Sequence, residues 1–91
     1  MSDPPRQAVL SPVFRRDLTY WIETDRKTAL RLMALVEAIM RDPFTGIGKP
    51  ERLKRWDDMT WSRRLNEADR LTYTVFPDRI EFIQGRYHYD R

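Results

Sequence analysis

The sequence predicts an α+β domain: one antiparallel-rich sheet with two helices packed on one face. Three observations lead there. Ala29, Leu32, Met33, Val36, Ile39 and Met40 recur at the i, i+3, i+4, i+7 spacing of an amphipathic helix. That stripe stops at Pro43, and the stretch from Pro43 to Pro50 reads as a loop because it carries two prolines and two glycines. From Trp61 onward the apolar spacing changes to two, the period of strands.

In chain order, Ala8-Val9-Leu10 is a short apolar run that fits the end of an edge strand. Ser11-Pro12 is a helix start, a hydroxyl cap followed by proline at the first helical position. Val13, Leu18, Trp21 and Ile22 continue at near-helical spacing, and Thr24 or Asp25 can cap the second helix. After the loop, Trp61, Arg63 and Leu65 alternate with Ser62, Arg64 and Asn66, and Leu71, Tyr73 and Val75 alternate with Arg70, Thr72 and Thr74. Ile80, Phe82, Gln84, Arg86 and His88 alternate with Glu81, Ile83, Gly85, Tyr87 and Tyr89. Asn66 to Asp69 and Pro77-Asp78 stand where hairpin turns belong.

Composition narrows the chemistry. Ninety-one residues support a single core. The absence of cysteine excludes disulfides, thiolate nucleophiles and cysteine-zinc sites, and a single histidine excludes multi-histidine metal sites. The sequence calls for no metal and no cofactor. No stretch approaches the roughly 18–20 apolar residues of a membrane span, and the polar start from Met1 to Gln7 does not read as a signal peptide. A cytoplasmic setting is expected. The net charge is +3, and only Lys27, Lys49 and Lys54 are lysines, so 14 of the 17 cations are arginines. Arginine pairs bidentately with phosphate and stacks on bases. The same composition also fits a solvated, ion-paired surface.

Three constellations stand out. In Gly46 to Arg55, Lys49, Arg52, Lys54 and Arg55 surround one acid, Glu51, and glycines allow close approach of backbone to a ligand. One carboxylate beside a phosphate site is the composition of a general base, although the segment lacks the ending of a Walker loop. Trp61-Ser62-Arg63-Arg64 and Asp69-Arg70 flank a tight turn, and arginines rising from a sheet call for carboxylate or phosphate partners. Arg86-Tyr87-His88-Tyr89 sets the one histidine among aromatics that can stack on bases. If the three converge, they supply metal-free RNA cleavage: Glu51 as base for the 2′-OH, Lys49, Lys54, Arg64 and Arg70 as stabilising charge, and His88 as acid for the leaving 5′-oxygen. Each also has a plain structural reading, as loop ion pairs, a salt-bridge ladder or a surface histidine.

The ordered set Gly48-Lys49-Pro50-Glu51-x-Leu53-Lys54, Trp61-Ser62-Arg63-Arg64, Arg70-Leu71-x-Tyr73 and Arg86-Tyr87-His88-Tyr89 resembles the YoeB branch of the RelE/YoeB toxins. Trp21-x-Glu23-Thr24-Asp25 and Asp42-Pro43-Phe44-x-Gly46 match that branch as well. The resemblance runs from about Val9 to Tyr89. It implies a RelE-like microbial RNase fold, a small curved sheet with two N-terminal helices, forming one domain over residues 9–91 after a flexible extension over residues 1–8. It implies the toxin of a type II toxin–antitoxin pair, a ribosome-dependent endoribonuclease that cuts mRNA in the A site and so inhibits translation. By position, the resemblance puts the general base on Glu51, the general acid on His88, the transition-state arginine on Arg70, a supporting lysine on Lys54 and an arranging, stacking tyrosine on Tyr89. RNA contacts fall to Lys49, Arg63, Arg64 and Arg86. The implied partners are an acidic YefM-like antitoxin, mRNA on the ribosome with ribosomal RNA contacts, and a second copy in a homodimer.

The chain also departs from the pattern. Asp69 replaces a histidine common in the family and is expected to compete for Arg70, and Asp90-Arg91 extends past the usual terminal tyrosine. The alternative reading is a non-catalytic module of the same fold that binds antitoxin or RNA and represses its own operon. Retention of Glu51, Arg70 and His88 together favours the enzyme, because a pure binder has no need of all three.

Overall fold

A computed structural model describes residues 5–54 and 59–87. Its elements are β1 (Gln7–Leu10), α1 (Pro12–Thr24), α2 (Arg26–Arg41), β2 (Glu51–Arg52), β3 (Thr60–Arg64), β4 (Arg70–Val75) and β5 (Arg79–Gln84). The predicted α+β architecture is present: two helices lie on one open sheet of order β1-β5-β4-β3-β2. The sheet is mixed, because β1 pairs parallel with β5 while the other neighbours are antiparallel. Strand β1 begins at Gln7, inside the segment expected to be an extension, and Arg6 Nε donates to the Phe76 carbonyl at 2.8 Å.

The helix ends follow their capping chemistry. Ser11 Oγ accepts from the Phe14 N–H at 3.0 Å with Pro12 in the first turn. The same hydroxyl donates to the Ile83 carbonyl at 2.7 Å, which ties the start of α1 to β5. Asp25 alone separates the helices. It donates its N–H to the Trp21 carbonyl, closing α1, and its carboxylate accepts from the Thr28 N–H and hydroxyl, opening α2. Those bonds favour the ionised form and hold the Asp25 carboxyl below its ordinary pKa.

The core forms between helices and sheet. Phe14 and Trp21 of α1 and Leu32, Leu35, Val36 and Ile39 of α2 pack with Leu71, Tyr73 and Val75 of β4 and Ile80 and Phe82 of β5. Strand β4 is buried on both sides, with Arg70, Thr72 and Thr74 on the face turned away from the helices.

Two expectations need correction. The alternation assigned to β5 through Tyr89 stops at Gln84. Gly85 then directs its N–H to Asp17 Oδ2 at 2.9 Å and accepts from Trp21 Nε1 at 2.8 Å, so its backbone groups serve α1. Tyr87 takes a left-handed φ of 67°, incompatible with a continuing strand. Arg86 therefore lies beyond the strand, and the part of the expectation that concerns His88 falls outside the described residues. The loop glycines also act differently from the sequence expectation. Gly46 (φ 126°) and Gly48 (φ 83°) lie against protein: a Cβ would stand 3.0 Å from Arg63 Nη1 at the first and 2.9 Å from Leu35 Cδ2 at the second. Their close approach is to the sheet and helix rather than to a phosphate.

Candidate active site

Register decides which side chains meet. Glu51 pairs with Ser62, Ser62 with Thr72, and Arg64 with Arg70. Residues directly opposite each other share a face, so Glu51, Ser62, Arg64, Arg70 and Thr72 all project from the side away from the helices. The two-residue strand β2, which period reading assigned to no element, is what brings Glu51 to this face.

The centre of the face is the Arg70 guanidinium. Its Nε donates to Ser62 Oγ at 2.9 Å and its Nη2 to Glu51 Oε1 at 3.2 Å. The Arg70 side chain is only 10% exposed, whereas that of Glu51 is 69% exposed. A nearly buried cation thus faces a carboxylate that is open to solvent. This pairing provides fixed positive charge beside an accessible proton acceptor. Exposed Arg64 adds positive charge to this face, exposed Lys49 and Lys54 flank β2 in sequence, and none of the three makes an ion pair among the described residues. No group of three or more His, Cys, Asp or Glu residues suited to a metal ion occurs among the described residues.

Asp69 does not compete for Arg70. Its Oδ1 accepts from the Tyr87 N–H at 2.6 Å, while the Arg70 N–H donates to the Tyr87 carbonyl at 3.1 Å. The backbone of Tyr87 therefore runs directly against Asp69 and Arg70. His88 and Tyr89 lie outside the described residues, so the structure does not test their meeting with Glu51.

Arg63, expected to contact RNA, is instead a core residue with no exposed surface. It shares the helix-side face with Trp61, because the two are separated by one period of the strand. Its Nη1 donates to the Ile47 carbonyl (3.0 Å) and its Nη2 to the carbonyls of Asp42 (2.6 Å) and Thr45 (2.9 Å). Nε reaches Tyr73 Oη at 3.2 Å, and that hydroxyl donates onward to the Pro43 carbonyl at 2.6 Å. Burial of a guanidinium is tolerated because its donors are satisfied. Arg63 thereby fastens the loop that leads to Glu51. Arg86 is also engaged: its guanidinium carbon lies 3.3 Å from the Tyr20 ring centre and 4.6 Å from that of Tyr87, beside α1.

Sequence reasoning missed three contributors. Ser62 orients Arg70, Asp69 holds Tyr87, and Thr72 presents on the same face a fully buried hydroxyl with no hydrogen-bond partner among the described residues. Period two already placed Ser62 and Thr72 opposite the apolar face, but their register with Glu51 was not readable.

Comparison with known proteins identifies the family. A family model described as the YoeB-like toxin of bacterial type II toxin–antitoxin systems matches residues 11–89. The toxin YoeB of Mycobacterium bovis is 42% identical over 84 residues, covering 92% of this chain and 99% of that protein. The structure of a YoeB dimer from Staphylococcus aureus superposes with a TM-score of 0.85 at 34% identity, covering 94% of this chain and all of that one. A heterotetrameric YoeB–YefM toxin–antitoxin complex from the same organism gives 0.80 at 34% identity, again covering 94% of this chain and 100% of its counterpart. A match this long, with shared architecture throughout, shows that the chain belongs to the YoeB-like toxins of bacterial type II toxin–antitoxin systems.

Proposed function

We propose that this toxin is a metal-independent endoribonuclease that cleaves mRNA in the ribosomal A site and so stops translation. The observation that carries the reading is the exposed Glu51 carboxylate paired with the nearly buried Arg70 guanidinium. RNA supplies its own nucleophile, so the site needs only a base, fixed positive charge and an acid. Glu51 takes the proton of the 2′-OH as its oxygen attacks the adjacent phosphorus. Arg70 stabilises the added negative charge, with Lys54 in the supporting role. His88 gives a proton to the departing 5′-oxygen, leaving a 2′,3′-cyclic phosphate and a free 5′-OH. Tyr89 stacks on the substrate and orders the site, and Lys49 and Arg64 hold the phosphate backbone.

The partners follow from relatives of known assembly. The Staphylococcus aureus YoeB dimer supports a homodimer, and the YoeB–YefM complex supports neutralisation by an acidic YefM-like antitoxin. We place the toxin in the cytoplasm, where its substrate is translated; no helix among the described residues is long and apolar enough to cross a membrane.

The test is cleavage of a defined mRNA on translating ribosomes, with 5′ ends mapped. Cuts in phase with the reading frame are expected, and Glu51→Gln and His88→Ala should each lose about 100-fold or more in rate. Unchanged cleavage by both variants, or cuts without phase, overturns the mechanism. A chain that binds antitoxin and operator but never cuts would be the non-catalytic module instead.

A further inference from the structure

We propose that Asp69 is a positioning residue: its carboxylate holds the backbone of Tyr87, the residue before His88 in sequence, against Arg70. The proposal rests on the reading of His88 as general acid. Three consecutive residues after β5 are each held by a different contact. Gly85 is bonded through its N–H and carbonyl to Asp17 and Trp21 of α1. Arg86 is stacked on Tyr20. Tyr87 is gripped at both ends of its backbone, its N–H by Asp69 Oδ1 at 2.6 Å and its carbonyl by the Arg70 N–H at 3.1 Å.

That last grip has a conformational purpose. Tyr87 has φ 67°, a region that residues with a Cβ enter at a cost, so surrounding contacts must hold it there. A charge-assisted bond to its N–H does so. Asp69 is itself rigid. Asn66 Oδ1 accepts from the N–H groups of Ala68 (2.9 Å) and Asp69 (2.7 Å), and the Leu65 N–H donates to the Asp69 carbonyl at 3.0 Å.

The dipeptide Asp69-Arg70 therefore ties two parts of the site to one turn. The side chain of Arg70 holds Glu51, and the side chain of Asp69 holds the residue whose peptide bond leads to His88. Asp69 touches no reacting atom and acts through Tyr87. The acid that the sequence set up as a rival for Arg70 is in this arrangement its complement.

The experiment compares Asp69→Ala and Asp69→Asn in the full chain, measuring ribosome-dependent cleavage and amide hydrogen exchange at Tyr87. Asp69→Ala is expected to lower kcat about tenfold, with KM held within about twofold, and to speed exchange of the Tyr87 amide. Asp69→Asn, whose Oδ1 still accepts the bond, should keep most of kcat and of the protection. Wild-type kcat and exchange in Asp69→Ala overturn the proposal, as does equal loss in both variants. If His88→Ala cleaves like the wild type, the general-acid reading fails first, and Tyr87 exchange still reports separately whether the grip exists.

Discussion

Arg63 and Arg70 stand on neighbouring strands of one sheet, and both lose most of their contact with water, yet their surroundings are opposite in kind. Arg63 lies on the helix side and donates to three carbonyls and one phenol. All three guanidinium nitrogens are occupied by fixed protein groups. Arg70 lies on the other side and meets one hydroxyl and one solvent-exposed carboxylate, while its Nη1 makes no hydrogen bond among the described residues. A guanidinium saturated by neutral backbone acceptors holds structure. One left with a spare donor beside an open acid is equipped to receive a substrate anion. Residue type is the same and both are buried; the identity and completeness of the partners differ.

Breaking each arginine separately tests that contrast. Arg70→Ala is expected to reduce cleavage by about 100-fold or more while changing stability by about 1 kcal/mol or less, because its ion pair has one exposed partner. Arg63→Ala should do the reverse. Leaving several buried carbonyls without donors should cost about 3 kcal/mol or more in urea unfolding, with little change in rate per folded molecule. If Arg63→Ala unfolds like the wild type, its assignment as a structural pin is wrong.

Ser62→Ala sharpens the Arg70 side. It removes the acceptor for Nε, worth about 1 kcal/mol net, and should lower kcat roughly fivefold through a less ordered guanidinium. Identical kcat values would mean that Glu51 alone orients Arg70.

The smallest expected effect concerns pH. Burial raises the Asp17 carboxyl above its ordinary value, although the Gly85 N–H bond opposes the rise. Between the unfolded value and the raised folded one, the folded state binds more protons, so this contribution to stability grows as pH falls through the folded pKa. Asp25 and Asp42 have the opposite sign. Hydrogen bonds from Thr28, and from Phe44 and Thr45, lower their values, so their contribution is present above the unfolded pKa and lost as pH falls through the folded one. Asp17→Asn should match or slightly exceed wild-type stability at pH 7, and Asp17→Ala should lose about 1 kcal/mol with the Gly85 acceptor. Denaturation at pH 7 and at about pH 4.5 separates these cases, since the Asp17→Asn advantage should shrink at the lower pH.

Much of the fold was readable locally. The Ala29 to Met40 stripe, the Ser11-Pro12 start and the period-two runs around Arg63 and Tyr73 correspond to α2, α1, β3 and β4. These features depend on neighbours a few residues apart. The same alternation held the clue to Arg63, which shares its face with Trp61 and Leu65. Adjacent Arg63 and Arg64 cannot both point to one side of a strand. The end of β5 was not readable, because the groups that capture Gly85 belong to Asp17 and Trp21, more than sixty residues away.

Residue pattern was enough to establish the two helices and most of the strands, because periodicity and capping act over one or two turns of chain. Pattern could not say which acceptors Arg63 and Arg70 would meet, nor direct Asp69 to Tyr87 rather than to its neighbour. Those outcomes rest on cross-strand register and on where each hydrogen-bond donor finds an acceptor. Such pairings join residues distant in sequence and exist only once the sheet has closed over its helices.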